Sequence, residues 1–270
     1  MLCLRKGKAG LVARNYWADG WGSSMEKNLT TGSVFKNIVC FSLPYLLSYF
    51  LQTLYGMADL FITGQFNGTA DITAVSIGSQ LMHMLTVMIV GLAMGATVTI
   101  GRSVGAKQQN RAANTIGNTV VLFMAVSAVI TVLLLILVKP ITAAMSTPAA
   151  AVPGTVSYLA ICFIGIPFIT AYNIISSIFR GLGDSKSPMY FIAVACAANI
   201  GLDYLFIGGM RLGPAGAALG TVLSQTVSVL VSLAVILRQK TGIHLSRACF
   251  KPQRDVMRPV LKIGIPVSLQ

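Results

Sequence analysis

Long apolar segments separated by short polar turns dominate the pattern of hydrophobic and polar positions along the chain. A helix needs about 20 residues to cross a bilayer core of about 30 Å, and six segments are long enough. They lie at residues 38–64, 72–101, 114–138, 152–179, 188–208 and 214–237. A seventh apolar stretch opens at Val260 and runs to Gln270. The pattern predicts a polytopic membrane protein with six spans and the start of a seventh.

Every span is predicted to be an α-helix. A backbone in hydrocarbon must satisfy its own hydrogen bonds, and these segments lack the apolar and polar alternation of barrel strands. The composition agrees, since 55% of the 270 residues are hydrophobic and 10% are charged, whereas soluble domains carry about 25% charged residues. We therefore expect an all-α transmembrane helix bundle embedded in the lipid bilayer.

Positive charge follows the predicted topology. Of the 20 lysines and arginines, all but Lys139 and Arg211 lie before span one, in the second-to-third and fourth-to-fifth loops, or after span six. By the positive-inside rule, these regions and the N-terminus face the cytoplasm. The net charge of +13 therefore reflects membrane orientation, and we expect no nucleic-acid partner.

Four regions are predicted along the chain. Residues 1–30 form a cytoplasmic tail, or an upstream extension if Met25 is the true start; residues 31–238 form the six-helix lobe. Residues 239–258 form a basic cytoplasmic linker, and residues 259–270 begin the seventh span. In both Phe41–Ser48 and Ile263–Gln270 a proline follows an apolar, small, apolar triplet, which suggests a repeat restarting after six spans, as in two-lobed transporters.

Two of the seven acidic residues, Asp59 in span one and Asp203 in span five, lie inside spans. An ionisable group there is costly, so each is a functional-site hypothesis. At about 1.5 Å per residue, both acids and Thr221 of span six lie about 8 to 10 Å below the outer ends of their spans. Asn199 precedes Asp203 by one turn on the same face. The four are predicted to form an oxygen-rich site for protons or sodium, with a structural hydrogen-bonded pair as the alternative.

Further polar residues of the first span extend this hypothesis. Gln52 and Tyr55 share a helix stripe with Asp59 and are expected to line a cavity. Pro44 removes a backbone hydrogen bond and permits a bend, either a static kink or a hinge.

Other polar or flexible side chains leave two interpretations open. Span six carries a polar face that either lines the cavity or packs against a helix, formed by Thr221, Ser224, Gln225 and Ser228. The methionines of span two either fill gaps or line a promiscuous pocket. His83 and Asn173 have no evident titrating partner, and His83 is interpreted as a contact between helices. The five cysteines lack metal-binding spacing, so no metal site is expected beyond possible sodium at the four coupling residues.

Several motifs occur in order across the six spans. They are Ser42-Leu-Pro-Tyr45, Gln52-Thr-Leu-Tyr-Gly-Met-Ala-Asp59, Gly101-Arg-Ser-Val-Gly-Ala106, Phe179-Arg-Gly-Leu-Gly-Asp184 with Pro188, and Asn199-Ile-Gly-Leu-Asp203 followed by Gly213-Pro-Ala-Gly-Ala-Ala-Leu-Gly-Thr221. In these motifs the chain resembles the multidrug and toxic compound extrusion (MATE) family, from about Thr31 to Gln270.

The resemblance implies a twelve-helix transporter of two six-helix lobes, of which this chain is the N-terminal lobe with the start of helix seven. Its partners would be the C-terminal lobe and small organic cations, exported across the plasma membrane in exchange for H⁺ or Na⁺. It implies no other cofactor. Asp59, Asn199, Asp203 and Thr221 match the family's N-lobe coupling site. Gln52 and Tyr55 match cavity positions, and Pro44 matches the bend of helix one.

Tyr204 stands where a proline often follows the acid in the family, a departure expected to alter the local bend. A flippase for lipid-linked precursors is the alternative function, but it would line its cavity with several arginines. A membrane-embedded enzyme would need a metal-ligand or nucleophile–base set that two histidines do not supply. The chain is therefore predicted to be an antiporter and not an enzyme.

Overall fold

The computed structural model describes residues 34–238 and 247–270, and the structural statements below refer to those residues. The proposed tail at 1–30 and residues 239–246 of the proposed linker lie outside them. The α-helices are α1 (Val34–Phe66), α2 (Thr69–Gly105), α3 (Gln109–Ala144), α4 (Val152–Gly181), α5 (Lys186–Asp203), α6 (Gly213–Arg238) and α7 (Arg254–Ser268). A π-helical segment, Tyr204–Gly209, extends α5, and a short 3-10 helix, Arg247–Phe250, precedes α7. The described part contains no strand.

The predicted six-span architecture is confirmed. Helices α1 to α4, α5 with its π-helical extension, and α6 are each long and apolar enough to cross a membrane. Helix α7 begins at Arg254, earlier than Val260, because charged residues interrupt the apolar ones in its first turns and leave no continuous apolar run. The protein is therefore a multi-pass helical membrane protein.

Helix α4 lies at the centre of the bundle, in contact with α2, α3 and α6. In α4, 67% of an apolar 18-residue stretch is buried, against 6% in α1. Helix α1 packs mainly on α5. It therefore forms a peripheral wall whose polar stripe lies over the interior of the lobe.

A hydrogen bond between Asn67 and Asp71, with Gly213 packed against it, joins the turns at one end of the bundle. Asn67 Nδ2 donates to Asp71 Oδ2 over 2.8 Å, across the short turn between α1 and α2. Gly213, at the start of α6, has a φ of +55° and lies against both residues, and a Cβ there would be 3.2 Å from Asn67 Nδ2. Glycine is required at this position because it adopts positive φ without steric cost and leaves room for the Asn67–Asp71 hydrogen bond.

The turn between α4 and α5 explains one of the motifs in structural terms. Gly183 has a φ of +88°, and Asp184 follows it. Asp184 Oδ1 accepts hydrogen bonds from the backbone N–H groups of Lys186 and Ser187, at 3.0 and 3.3 Å. These donors lack partners within the helix, so Asp184 caps the first turn of α5.

The chain after α6 is anchored to the lobe by Asn118 of α3. Asn118 Nδ2 donates to the Cys249 carbonyl at 3.1 Å, and its Oδ1 accepts from the Gln253 N–H at 2.6 Å. Helix α7 then packs on α2 where glycines allow close approach, with Gly95 against Val260 and Gly264. The segment leading into the seventh helix is therefore held against α2 and α3.

Candidate transport site

The predicted coupling residues meet in the interior of the lobe. Asp59 of α1 is 3% exposed, and the Thr221 hydroxyl of α6 donates to its Oδ2 at 3.0 Å. Asn199 and Asp203 of α5 are fully buried, and their side chains face the Asp59 carboxyl group. The four residues therefore form one cluster, at the similar depths that the sequence had indicated.

Most polar atoms of this cluster lack a hydrogen bond of good geometry within the described chain. They are Asp59 Oδ1, both carboxyl oxygens of Asp203, and Oδ1 and Nδ2 of Asn199. Buried polar atoms are normally paired, and buried carboxylates are especially costly when unpaired. The cluster offers carboxyl, amide and hydroxyl oxygens to a proton or a hard cation, which is the ligand chemistry of such cations.

Close packing holds Asp203 in this position. Gly220 of α6 lies directly against the Asp203 carboxyl group, and a Cβ on Gly220 would overlap Oδ1. Immediately after Asp203 the helix changes to the π-helical segment, which begins at Tyr204. Short π-helical insertions occur frequently at functional sites. The departure noted at Tyr204 therefore coincides with a change of helix type, and its ring packs edge-on against Phe66.

A cavity of about 200 Å³ connects this cluster with the far half of the lobe. Asp59 and Thr221 lie at one end of its wall. At the other end lie Tyr45, which precedes Asp59 by 14 residues on α1, and Arg180, near the end of α4. The Arg180 guanidinium stacks over the Tyr45 ring, 4.6 Å from its centroid. Gln52 and Tyr55 lie in the cavity wall between these ends, in the positions expected from the stripe on α1.

The family model for MatE matches residues 44–205, which contain three of the four predicted coupling residues and most of the bundle. The chain belongs to the MatE family. This confirms the resemblance described above.

Relatives of this MatE chain include proteins named for drug resistance and export. The probable multidrug resistance protein YpnP of Bacillus subtilis is 33% identical over 90% of this chain and 54% of its own length. The multidrug export protein MepA of Staphylococcus aureus is 25% identical over 87% of this chain and 52% of its own. The chain spans about half the length of the relatives it matches.

Solved structures show the same architecture. A MOP superfamily transporter from Pyrococcus furiosus matches with a TM-score of 0.83 at 27% identity, over 89% of this chain and 53% of that one. MATE structures in the bent and the straight conformation match with TM-scores of 0.83 and 0.81, over 88% and 89% of this chain and 53% and 54% of those chains. Pro44 lies inside a continuous α1, and its role as a bend or hinge stays a prediction.

The polar face of α6 has a divided role in this MatE lobe. Thr221 and Gln225 line the cavity, whereas Ser228 donates to the Phe191 carbonyl of α5 at 3.0 Å and packs between helices. Both interpretations that the sequence left open are therefore correct for part of this face. Gln225 and Tyr55 lie in the wall of the same cavity, an arrangement that helix periodicity alone does not predict.

Several cavity residues were not identified from the sequence. Tyr158 of α4 lies in the wall near Asp59, packed on Gly78, and it has no sequence signal because an apolar span often contains tyrosine. His83 and Asn173 also lie in the wall. The His83 side chain is exposed and has no hydrogen bond within the described residues, so the interpretation of it as a hydrogen-bonded contact between helices does not hold there. Of the methionines in span two, Met82 lines the cavity.

Proposed function

We propose that this chain is the N-terminal lobe of a cation-coupled antiporter that exports organic cations across the plasma membrane in exchange for H⁺ or Na⁺. Its N-terminus faces the cytoplasm, as the distribution of lysine and arginine indicates. The C-terminal lobe of the same protein completes the transport pathway, in keeping with relatives of which this chain covers about half the length.

The buried cluster at Asp59 carries the proposal. Two carboxyl groups on neighbouring helices lie in a membrane span with several of their oxygens unpaired. Such a pair is stable when a proton or a sodium ion neutralises it and unfavourable when both groups are ionised. Binding of the coupling ion therefore favours one arrangement of α1, α5 and α6, and its release favours another.

The adjoining cavity is where the exported cation competes with the coupling ion. Asp59 belongs both to the cluster and to the cavity wall, so an organic cation in the cavity competes for the charge that the coupling ion neutralises. Tyr55 and Gln52 contribute an aromatic face and an adaptable amide. An aromatic ring attracts a cation with about 0.5 to 2 kcal/mol, too little to define one ligand. This surface favours a range of aromatic cations.

The flippase alternative is not favoured. The described cavity wall contains one arginine, Arg180, at the end remote from Asp59, where a carrier of pyrophosphate-linked lipids would need several. Transport requires no covalent step, which agrees with a family whose named members are transporters.

The test uses the full-length protein in proteoliposomes with an imposed proton or sodium gradient. Asp59→Asn and Asp203→Asn each keep the side-chain shape and remove a charge, and each is expected to abolish gradient-driven efflux of a cationic dye while the protein remains inserted. Asp255→Asn, on the exposed start of α7, is the matched control and should transport normally. Wild-type efflux in both site variants would reduce the pair to a structural role. The gradient that drives efflux in the wild type identifies the coupling ion.

A further inference from the structure

His83 of α2 lies in the wall of the cavity. Its depth in the membrane can be estimated from the number of residues that separate it from the turn between α1 and α2. The turn Asn67–Gly68 joins α1 and α2, and Gln52 and His83 each lie 15 residues from it, on α1 and α2 respectively. At about 1.5 Å per residue both are about 22 Å from the turn, well inside the span. Asp59 lies seven residues closer to the turn than Gln52, or about 10 Å along the axis. His83 therefore lies beyond the Asp59 cluster, at the level of Gln52.

The imidazole makes no hydrogen bond or ion pair with the rest of the described chain, and its side chain is exposed to the cavity. An ionisable side chain at mid-membrane is costly unless it faces water or a ligand. A histidine that held two helices together would instead be buried against a hydrogen-bonding partner. The His83 side chain is therefore directed at whatever occupies the cavity.

The charges around His83 are few. Across the cavity, α1 contributes Asp59 together with tyrosine hydroxyls at Tyr45, Tyr49 and Tyr55. Helix α4 contributes Arg180 together with Tyr158 and Tyr172, and the lining residues of α5 and α6 carry no charge. Asp59 is thus the one acidic residue of the described wall, and His83 and Arg180 are its basic residues. Histidine is the side chain whose charge ordinarily changes between about pH 5 and pH 8, and His83 is the histidine of the described wall.

We propose that His83 determines which charge type the cavity accepts: the neutral imidazole permits an organic cation beside it, and the protonated imidazole disfavours one. The inference rests on the proposed function and adds a specificity residue to it. Histidine gains a positive charge between about pH 8 and pH 5. Acidification therefore adds repulsion against a bound cation, whereas a zwitterion can place its anionic group toward His83. The residue weakens the binding of permanent cations on an acidic side of the membrane and promotes their release.

The test measures dye binding to the purified full-length protein by fluorescence anisotropy at about pH 8 and about pH 5, the limits of histidine titration. The probes are rhodamine 6G, a permanent cation, and rhodamine B, its zwitterionic analogue. The quantity compared is the Kd at the acidic pH divided by the Kd at the alkaline pH. Titration of the Asp59 cluster also enters this ratio, but it is common to the wild type and the His83 variants.

In His83→Gln and His83→Phe the ratio for rhodamine 6G should fall by about threefold to tenfold relative to the wild type, the effect of one unit charge several ångströms away in a hydrated cavity. The change for rhodamine B should be smaller. His83→Lys should bind rhodamine 6G weakly at both pH values. Met84→Leu, at the neighbouring exposed position outside the cavity wall, should keep the wild-type ratio.

An unchanged ratio in both His83→Gln and His83→Phe would overturn the inference and leave the proposed function intact. If the glutamine variant does not fold, the phenylalanine and lysine variants decide the question. If the wild type binds neither dye at either pH, the proposed function fails and the inference fails with it. The two failures are therefore distinguishable.

Discussion

The Thr221 hydroxyl donates a 3.0 Å hydrogen bond to the Asp59 carboxyl group, although 162 residues separate the two in the chain. The bond joins the peripheral helix α1 to α6 in the interior of the lobe. Because α1 has little other buried surface in its apolar stretch, the chemical state of Asp59 has a direct influence on how α1 is held.

Replacing Thr221 tests this contact. Thr221→Val removes the donor at nearly constant volume and should slow gradient-driven dye efflux at least tenfold, since a hydrogen bond to a charged group contributes about 1.5 to 3 kcal/mol. Thr221→Ser retains the hydroxyl and should transport close to normally. Equal rates for the two variants, measured in proteoliposomes, would show that the hydroxyl is not needed.

Gly220 tests the packing of Asp203. In Gly220→Ala the new methyl group would overlap the Asp203 carboxyl group, so the carboxyl must move, and we expect loss of coupled efflux with a destabilisation of about 1 to 3 kcal/mol. Gly201→Ala is the control on α5, since a Cβ there meets nothing within 4 Å. It should preserve efflux and should not lower the thermal unfolding temperature. A fully active Gly220→Ala protein would contradict the site geometry.

Asn118 tests the attachment of the segment before α7. Asn118→Ala removes a hydrogen bond to the Cys249 carbonyl and one from the Gln253 N–H, and each lost bond is expected to cost about 0.5 to 1.5 kcal/mol. Limited trypsin digestion should then cut faster after Arg254, an exposed residue that directly follows Gln253. Asn110→Ala, at an exposed position near the start of α3, should be cut at the wild-type rate. Identical digestion of both variants would indicate that the segment is held by other contacts.

Membrane orientation is tested by cysteine labelling in a protein whose native cysteines are replaced by serine. A cysteine at Thr69 should react with an impermeant maleimide added to intact cells, and one at Gln109 should react only after lysis. Both positions are exposed at opposite ends of the spans. The charge distribution motivates this expectation, and the reverse pattern would overturn the proposed cytoplasmic N-terminus.

Cavity breadth is tested at Tyr55. Tyr55→Ala should weaken the binding of several chemically distinct aromatic cations by a similar factor, about twofold to thirtyfold, because it removes one cation–π contact of about 0.5 to 2 kcal/mol. Tyr55→Phe keeps the ring and should bind them nearly as well. A variant that lost one dye completely and kept the others would indicate a dedicated site.

Much of the candidate site could be predicted from depth alone. Helices in a membrane rise by a constant amount per residue, so Asp59, Asp203 and Thr221 could be assigned to one level before any packing was known. Gln52 and Tyr55 followed from the same periodicity. His83 and Tyr158 could not be assigned, because whether a residue of α2 or α4 faces a cavity depends on the rotation of its helix, which the neighbouring helices decide.

The sequence by itself determined the helical class, the six spans and the approximate depth of each polar group, because these follow from local hydrophobicity and the length of a helix that crosses a bilayer. Only the tertiary structure decided which groups meet. The contact of Gly220 with Asp203, the ring of Tyr158 on Gly78 and the anchoring by Asn118 depend on side chains from distant segments approaching within van der Waals distance. Such contacts are set by the shapes of whole helix faces, and no periodicity within a single helix encodes them.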